Sequence, residues 1–95
     1  MKLIWSINAV NRLNSITKKM VLYNPDKTSK FVDEVFIRVD GLKLFPEKGR
    51  NIPQIENSNI RELIYKDHRI VYYINKKEST IPILTILHTS QNFPE

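Results

Sequence analysis

Ninety-five residues, 41% hydrophobic and 26% charged, make one domain over residues 1–95, with no room for a second core. The absence of cysteine excludes a disulfide framework, a thiol nucleophile and a cysteine-based zinc site, and two histidines far apart in sequence lead us to expect no metal site. Fifteen Lys and Arg against ten Asp and Glu give a formal charge of +5, which suits an anionic partner as well as it suits a plain lysine-rich surface.

The opening MKLIWSINAV turns polar too soon for a signal peptide, and no apolar run approaches the roughly 18–20 residues that span a bilayer. A cytoplasmic protein with no membrane association is expected. Lys2 to Ser6 fits a first strand. Asn8 can cap a helix over about residues 8–22, with Ala9, Leu13, Ile16 and Met20 on its apolar stripe. Asn24-Pro25 begins a second helix: asparagine caps well, proline suits the first turn, and Asp26 favours the dipole. Phe31, Val35, Val39 and Leu42 give its stripe, widened by Val32 and Phe36. A strand pair competes here, because Val35 to Val39 is β-branched and Asp40-Gly41 is a hairpin turn signal. The helix must absorb Gly41 or end there, and Pro46 stops it.

Residues 46–59 read as a long basic loop carrying Lys48 and Arg50. A hairpin follows, with Ile60 to Tyr65 and Arg69 to Ile74 as strands and Lys66-Asp67-His68 as the turn. Asn75 to Thr80 is a polar turn, Ile81 to His88 the last strand, and Thr89 to Glu95 a polar tail. The order is β-α-α-β-β-β: an α+β domain with a two-helix hairpin packed on one face of an antiparallel sheet. Alternation puts Ile70, Tyr72 and Ile74 in the core, and Arg69, Val71 and Tyr73 on the opposite, open face.

Arg61, Arg69 and His88 are the candidates for chemistry. Arginines on a sheet can hold a phosphate bidentately, a histidine can move a proton near neutral pH, and Tyr65 or Tyr73 can stack a base. Each also has a structural reading. Arg61 fits a structural role, Arg69 can pair with Asp67 or cover apolar surface with its stem, His88 fits a strand-end cap, and His68 is expected in solvent at the turn. Glu62, pointing away from Arg61, is expected to serve a neighbouring strand. Trp5 reads as core. No phosphate-cradling glycine loop, nucleophile elbow or zinc motif is present, and no cofactor is expected.

The order of elements and several motifs together resemble the RelE/ParE superfamily, the toxins of type II toxin–antitoxin modules. The resemblance runs from Ile4-Trp5-Ser6 through Leu44-Phe45-Pro46, Gly49-Arg50 and Ile52-Pro53. It is densest in Ile60-Arg61-Glu62-Leu63, His68-Arg69-Ile70-Val71-Tyr72-Tyr73 and Ile86-Leu87-His88. It implies the same fold, a cognate antitoxin that wraps the toxin in a hetero-oligomer, and one of two targets. ParE-like members poison DNA gyrase without ribonuclease activity; RelE-like members cleave mRNA in the ribosomal A site. Ile86-Leu87-His88 with Phe93-Pro94 is similar to ParE-type tails, so the gyrase reading comes first. Thr89-Ser90-Gln91-Asn92 departs from both groups, having neither the arginines of ParE tails nor the basic residues or tyrosine of RelE nucleases. A member that only binds its antitoxin therefore stays open. If the protein were a nuclease, Arg69, Arg61 and His88 would be catalytic, while the glutamate the family uses as base has no match beyond what Gln54 and Glu56 of the loop offer. If it works by contact, Arg50, Arg61, Arg69, Tyr73, His88 and Phe93 are the residues expected to meet the target or the antitoxin.

Overall fold

A computed structural model that describes residues 1–91 shows two helices on one face of a five-stranded sheet. The first strand, β1 (Lys2–Trp5), leads into α1 (Ile7–Val21), then α2 (Pro25–Asp40). Next come 3-10 turns at Gly41–Lys43 and Pro46–Lys48, and then β2 (Arg50–Asn51), β3 (Ile60–Tyr65), β4 (His68–Tyr73) and β5 (Thr80–His88). The sheet order is β1-β5-β4-β3-β2. Neighbours are antiparallel except β1, which runs parallel to β5, with Trp5 opposite Ile83. The sheet is thus mostly, not wholly, antiparallel, and it has one strand more than expected.

Ser6, not Asn8, caps α1. Its hydroxyl accepts from the Ala9 amide and donates to the Leu84 carbonyl, 3.0 Å in each case. That second bond reaches β5 where the β4–β5 register slips, between Val71 and Tyr72. Asn24 caps α2 as expected, accepting from the Lys27 amide, and Pro25 opens the helix. The helix ends at Asp40. Gly41 does not continue it but starts the 3-10 turn, which resolves the helix-or-hairpin ambiguity in favour of a helix.

The main core lies between the helices and the sheet. Ala9, Leu13, Phe31 and Val35 from above meet Ile70, Tyr72, Ile83 and Ile86 from below, all buried. Trp5 sits at the margin of this core, half-buried and 5.1 Å from the ring of Phe36. The far face of the sheet is not open along its whole length. The segment after β2 folds across it, so that Ile52 joins Val71 and Leu87 in a second small core, with Ile55 and Ile60 at its edge. Much of the predicted loop 46–59 is therefore ordered structure with its own packing. Among the described residues no helix is long and apolar enough to cross a membrane.

Candidate functional site

Register decides where each candidate residue goes. β3 and β4 pair with Leu63 opposite Ile70, Ile64 opposite Arg69 and Tyr65 opposite His68, so the turn is Lys66-Asp67 alone. Lys66 takes a positive φ of 51° to make it. His68 is the first residue of β4, not part of the turn.

Arg69 lies on the face away from the helices, but it is buried, at 7% exposure. Its Nε donates to Glu62 Oε1 at 2.6 Å and its Nη1 to the Gln91 carbonyl at 2.7 Å. It does not pair with Asp67. Glu62, fully buried from β3, also accepts from Arg50 Nε of β2 at 2.7 Å through its other oxygen. One carboxylate thus bridges arginines from the two strands flanking it. Arg50 is the exposed member of the three, with 59% of its side chain accessible. A buried carboxylate needs this: an unpaired charge in such a place would be strongly unfavourable.

Arg61 is on the opposite face, beside Tyr72. Its guanidinium donates to the carbonyls of Ser58 (3.0 Å), Gly49 (2.9 Å) and Glu47 (3.4 Å). The Tyr72 hydroxyl donates to the Pro46 carbonyl at 2.7 Å and accepts from the Gly49 amide at 2.9 Å. Arg61 and Tyr72 together hold segment 46–49 against the sheet. Gly49 is extended there, and it is glycine for want of space: a Cβ would stand 2.5 Å from the Tyr72 hydroxyl. Burial raises the Tyr72 phenol above its ordinary pKa, against the opposing pull of the Gly49 amide and Arg61, with Glu47 adding a smaller upward push.

His88 stands exposed at the far end of β5, opposite His68, with the two rings 5.7 Å apart and edge-on. Its Nδ1 accepts from the Ser90 amide at 3.1 Å, so the neutral ring carries its proton on Nε2. His68 is not in solvent. It is half-buried between His88 and Phe31, whose ring lies 5.0 Å away. Burial lowers its pKa below 6.5, His88 lowers it further, and Asp67 raises it less.

Arg61, Arg69 and His88 therefore do not converge. Arg50, Arg69 and Tyr73 share the face away from the helices; Arg61 and His88 lie at opposite ends of the other. Phe93 is outside the described residues. Among the described residues no cluster of three or more His, Asp or Glu is placed to hold a metal ion.

Residues 3–93 match the family model described as ParE toxin of type II toxin–antitoxin system, parDE. The chain is 30% identical over 93 residues to a Sinorhizobium fredii (strain NBRC 101917 / NGR234) protein named "Putative toxin Y4kP", covering 96% of this chain and 91% of that one. Its fold is similar to that of a chain in the chromosomal ParDE TA system of P. aeruginosa. The TM-score is 0.77 at 24% identity, over 95% of this chain and 97% of the other. A chain of the Mycobacterium tuberculosis RelBE2 toxin–antitoxin complex is similar at a TM-score of 0.60 and 17% identity, over 92% and 95%.

Proposed function

The chain belongs to the family of ParE toxins of type II toxin–antitoxin systems, and from that premise we propose that it inhibits DNA gyrase by protein–protein contact in the cytoplasm. One observation carries the choice of contact over cleavage. Both arginines that would hold a scissile phosphate are already committed, Arg69 to Glu62 and Gln91, Arg61 to three carbonyls of the chain itself. His88, the only candidate proton carrier of the three, is at the other end of the sheet from Arg61 and on the other face from Arg69. General acid–base cleavage needs each group within hydrogen-bond reach of the atom whose proton it moves, all gathered around one scissile phosphate.

A cognate antitoxin is its proposed partner in a hetero-oligomer. Ile7 and Val10 of α1, Phe36 and Ile37 of α2, and Leu44 and Phe45 beyond it are exposed hydrophobic side chains that such a partner would cover.

The test is a supercoiling assay with purified gyrase, scored for trapped cleaved DNA, beside an assay of mRNA cleavage on translating ribosomes. Inhibition with accumulated cleaved DNA and intact mRNA is the expected result. Intact gyrase activity at an excess of folded protein, together with cut mRNA, would overturn the proposal in favour of a RelE-like nuclease.

A further inference from the structure

Between α1 and the paired ends of β4 and β5 lies a cleft of about 530 Å³, within the size range of sites for small ligands. Ile16 and Met20 of α1 and Ile86 of β5 make it apolar, Arg12 and Lys19 of α1 give it charge, and His68 and His88 also line it. A separate, smaller hollow of about 90 Å³ shares Met20 and His68 with it and is lined by Lys27, Lys30 and Lys66. Two cationic side chains thus line the cleft with no carboxylate, and three more line the hollow beside it, against the single carboxylate of Asp67. Among the described residues none of the five forms an ion pair; those involve Arg38, Lys43, Arg50 and Arg69. Like charges gathered this way favour an anion between them.

Two further features narrow the anion. His88 spends Nδ1 on the Ser90 amide, which leaves Nε2–H as a donor even in the neutral ring. Tyr23, also lining the cleft, is 88% exposed, so its aromatic face is bare beside the positive charge. We propose that this cleft binds a phosphate of a single-stranded nucleic-acid chain, with the neighbouring base laid against Tyr23. Such a strand uses the cations, the imidazole donor and the ring together, as stacking on an aromatic beside a basic groove does elsewhere. An acidic peptide would use the cations, but its carboxylates bring no aromatic face for Tyr23, whereas every nucleotide carries a base beside its phosphate. The site stands apart from the gyrase proposal, since it requires no gyrase.

The experiment is fluorescence anisotropy of labelled oligo-dT and oligo-U with the purified full chain, across a salt series and without gyrase. Arg12→Gln with Lys19→Gln should weaken binding about tenfold and lower the salt slope by about 0.7 for each phosphate no longer neutralised. Tyr23→Ala should weaken it at least fivefold, because the base has no ring to stack on. Lys76→Gln with Lys77→Gln removes the same charge from the exposed turn at the other end of the sheet, and should change affinity less than twofold. Thermal melts check that every variant is folded. Preference for dT or for U then tells a DNA strand from an RNA strand. Equal weakening in the cleft and turn variants, an unchanged Tyr23→Ala, or no oligonucleotide binding would each overturn the proposal. So would a poly-glutamate peptide that depends on Arg12 and Lys19 where the oligonucleotides do not.

Discussion

Two basic regions of this molecule use the same side chains in opposite ways. In the β2–β3–β4 region, Arg50, Arg61 and Arg69 are bound to partners within the chain, and Glu62 is buried between two of them. Beside α1, the start of α2 and the β3–β4 turn, Arg12, Lys19, Lys27, Lys30 and Lys66 line two neighbouring cavities with Asp67 as the one carboxylate. What separates the regions is whether the topology brings a carboxylate or a carbonyl to meet the cation. In the first region positive charge maintains the fold. In the second it is available to something else.

The contrast predicts that stability responds to the first region and barely to the second. Glu62→Ala leaves Arg69 buried without its carboxylate, and should lower unfolding stability by about 3–5 kcal/mol in denaturant titration. A loss below about 1 kcal/mol would mean that the bridge is incidental. Tyr72→Phe strips the Pro46 carbonyl and the Gly49 amide of their partner. It should cost about 1–3 kcal/mol and speed hydrogen exchange at Gly49 in particular.

A smaller effect concerns His68. Its folded pKa lies below 6.5, so near pH 6 the folded chain binds fewer protons there than the unfolded chain. That contribution is complete above about pH 6.5 and is lost as pH falls through 6.5 towards the lowered value. The melting temperature should drop between pH 7.5 and 5.5, and drop less in His68→Phe. Equal drops would show that other groups govern this window. Arg12→Gln with Lys19→Gln should be the mildest of all, within about 0.5 kcal/mol of the parent in the same titration.

Local chemistry made much of the fold legible. Asn24-Pro25 marks the start of α2, and the stripe of Phe31, Val35 and Val39 is the face that is buried. Other features depend on residues distant in sequence. Ser6 outcompetes Asn8 as a cap because its hydroxyl also reaches Leu84, 78 residues on. The two-residue strand β2 carries no periodic pattern and is held by cross-strand bonds instead. The parallel seat of β1 beside β5 is set by how the helical hairpin packs, which no local run of residues encodes.

The candidate site was obscured by a single residue. Counting His68 in the turn shifts the β3–β4 register by one, and a shift of one exchanges the faces of a strand relative to its neighbour. With the two-residue turn, Glu62 and Arg69 fall on one face, a diagonal step apart, and their pairing could have been foreseen. The cleft beside α1 could not, because Arg12, Lys19, His68 and His88 line one space only once α1, β4 and β5 have packed.

The place of β5 in the sheet has a consequence for how the chain becomes a toxin. It is the last of the described strands to be synthesised, yet it sits between β1 and β4 and forms the floor on which α1 packs. Until residues 80–88 exist, β1 has no neighbour in the sheet, and Ala9 and Leu13 lack Ile81, Ile83 and Ile86 from their core. Pairings so distant in sequence slow folding and hold the nascent chain open, with its apolar stripes uncovered. A growing chain therefore cannot present its finished surface early, and a partner able to grip α1 and α2 at that stage would meet the protein before it is capable of harm.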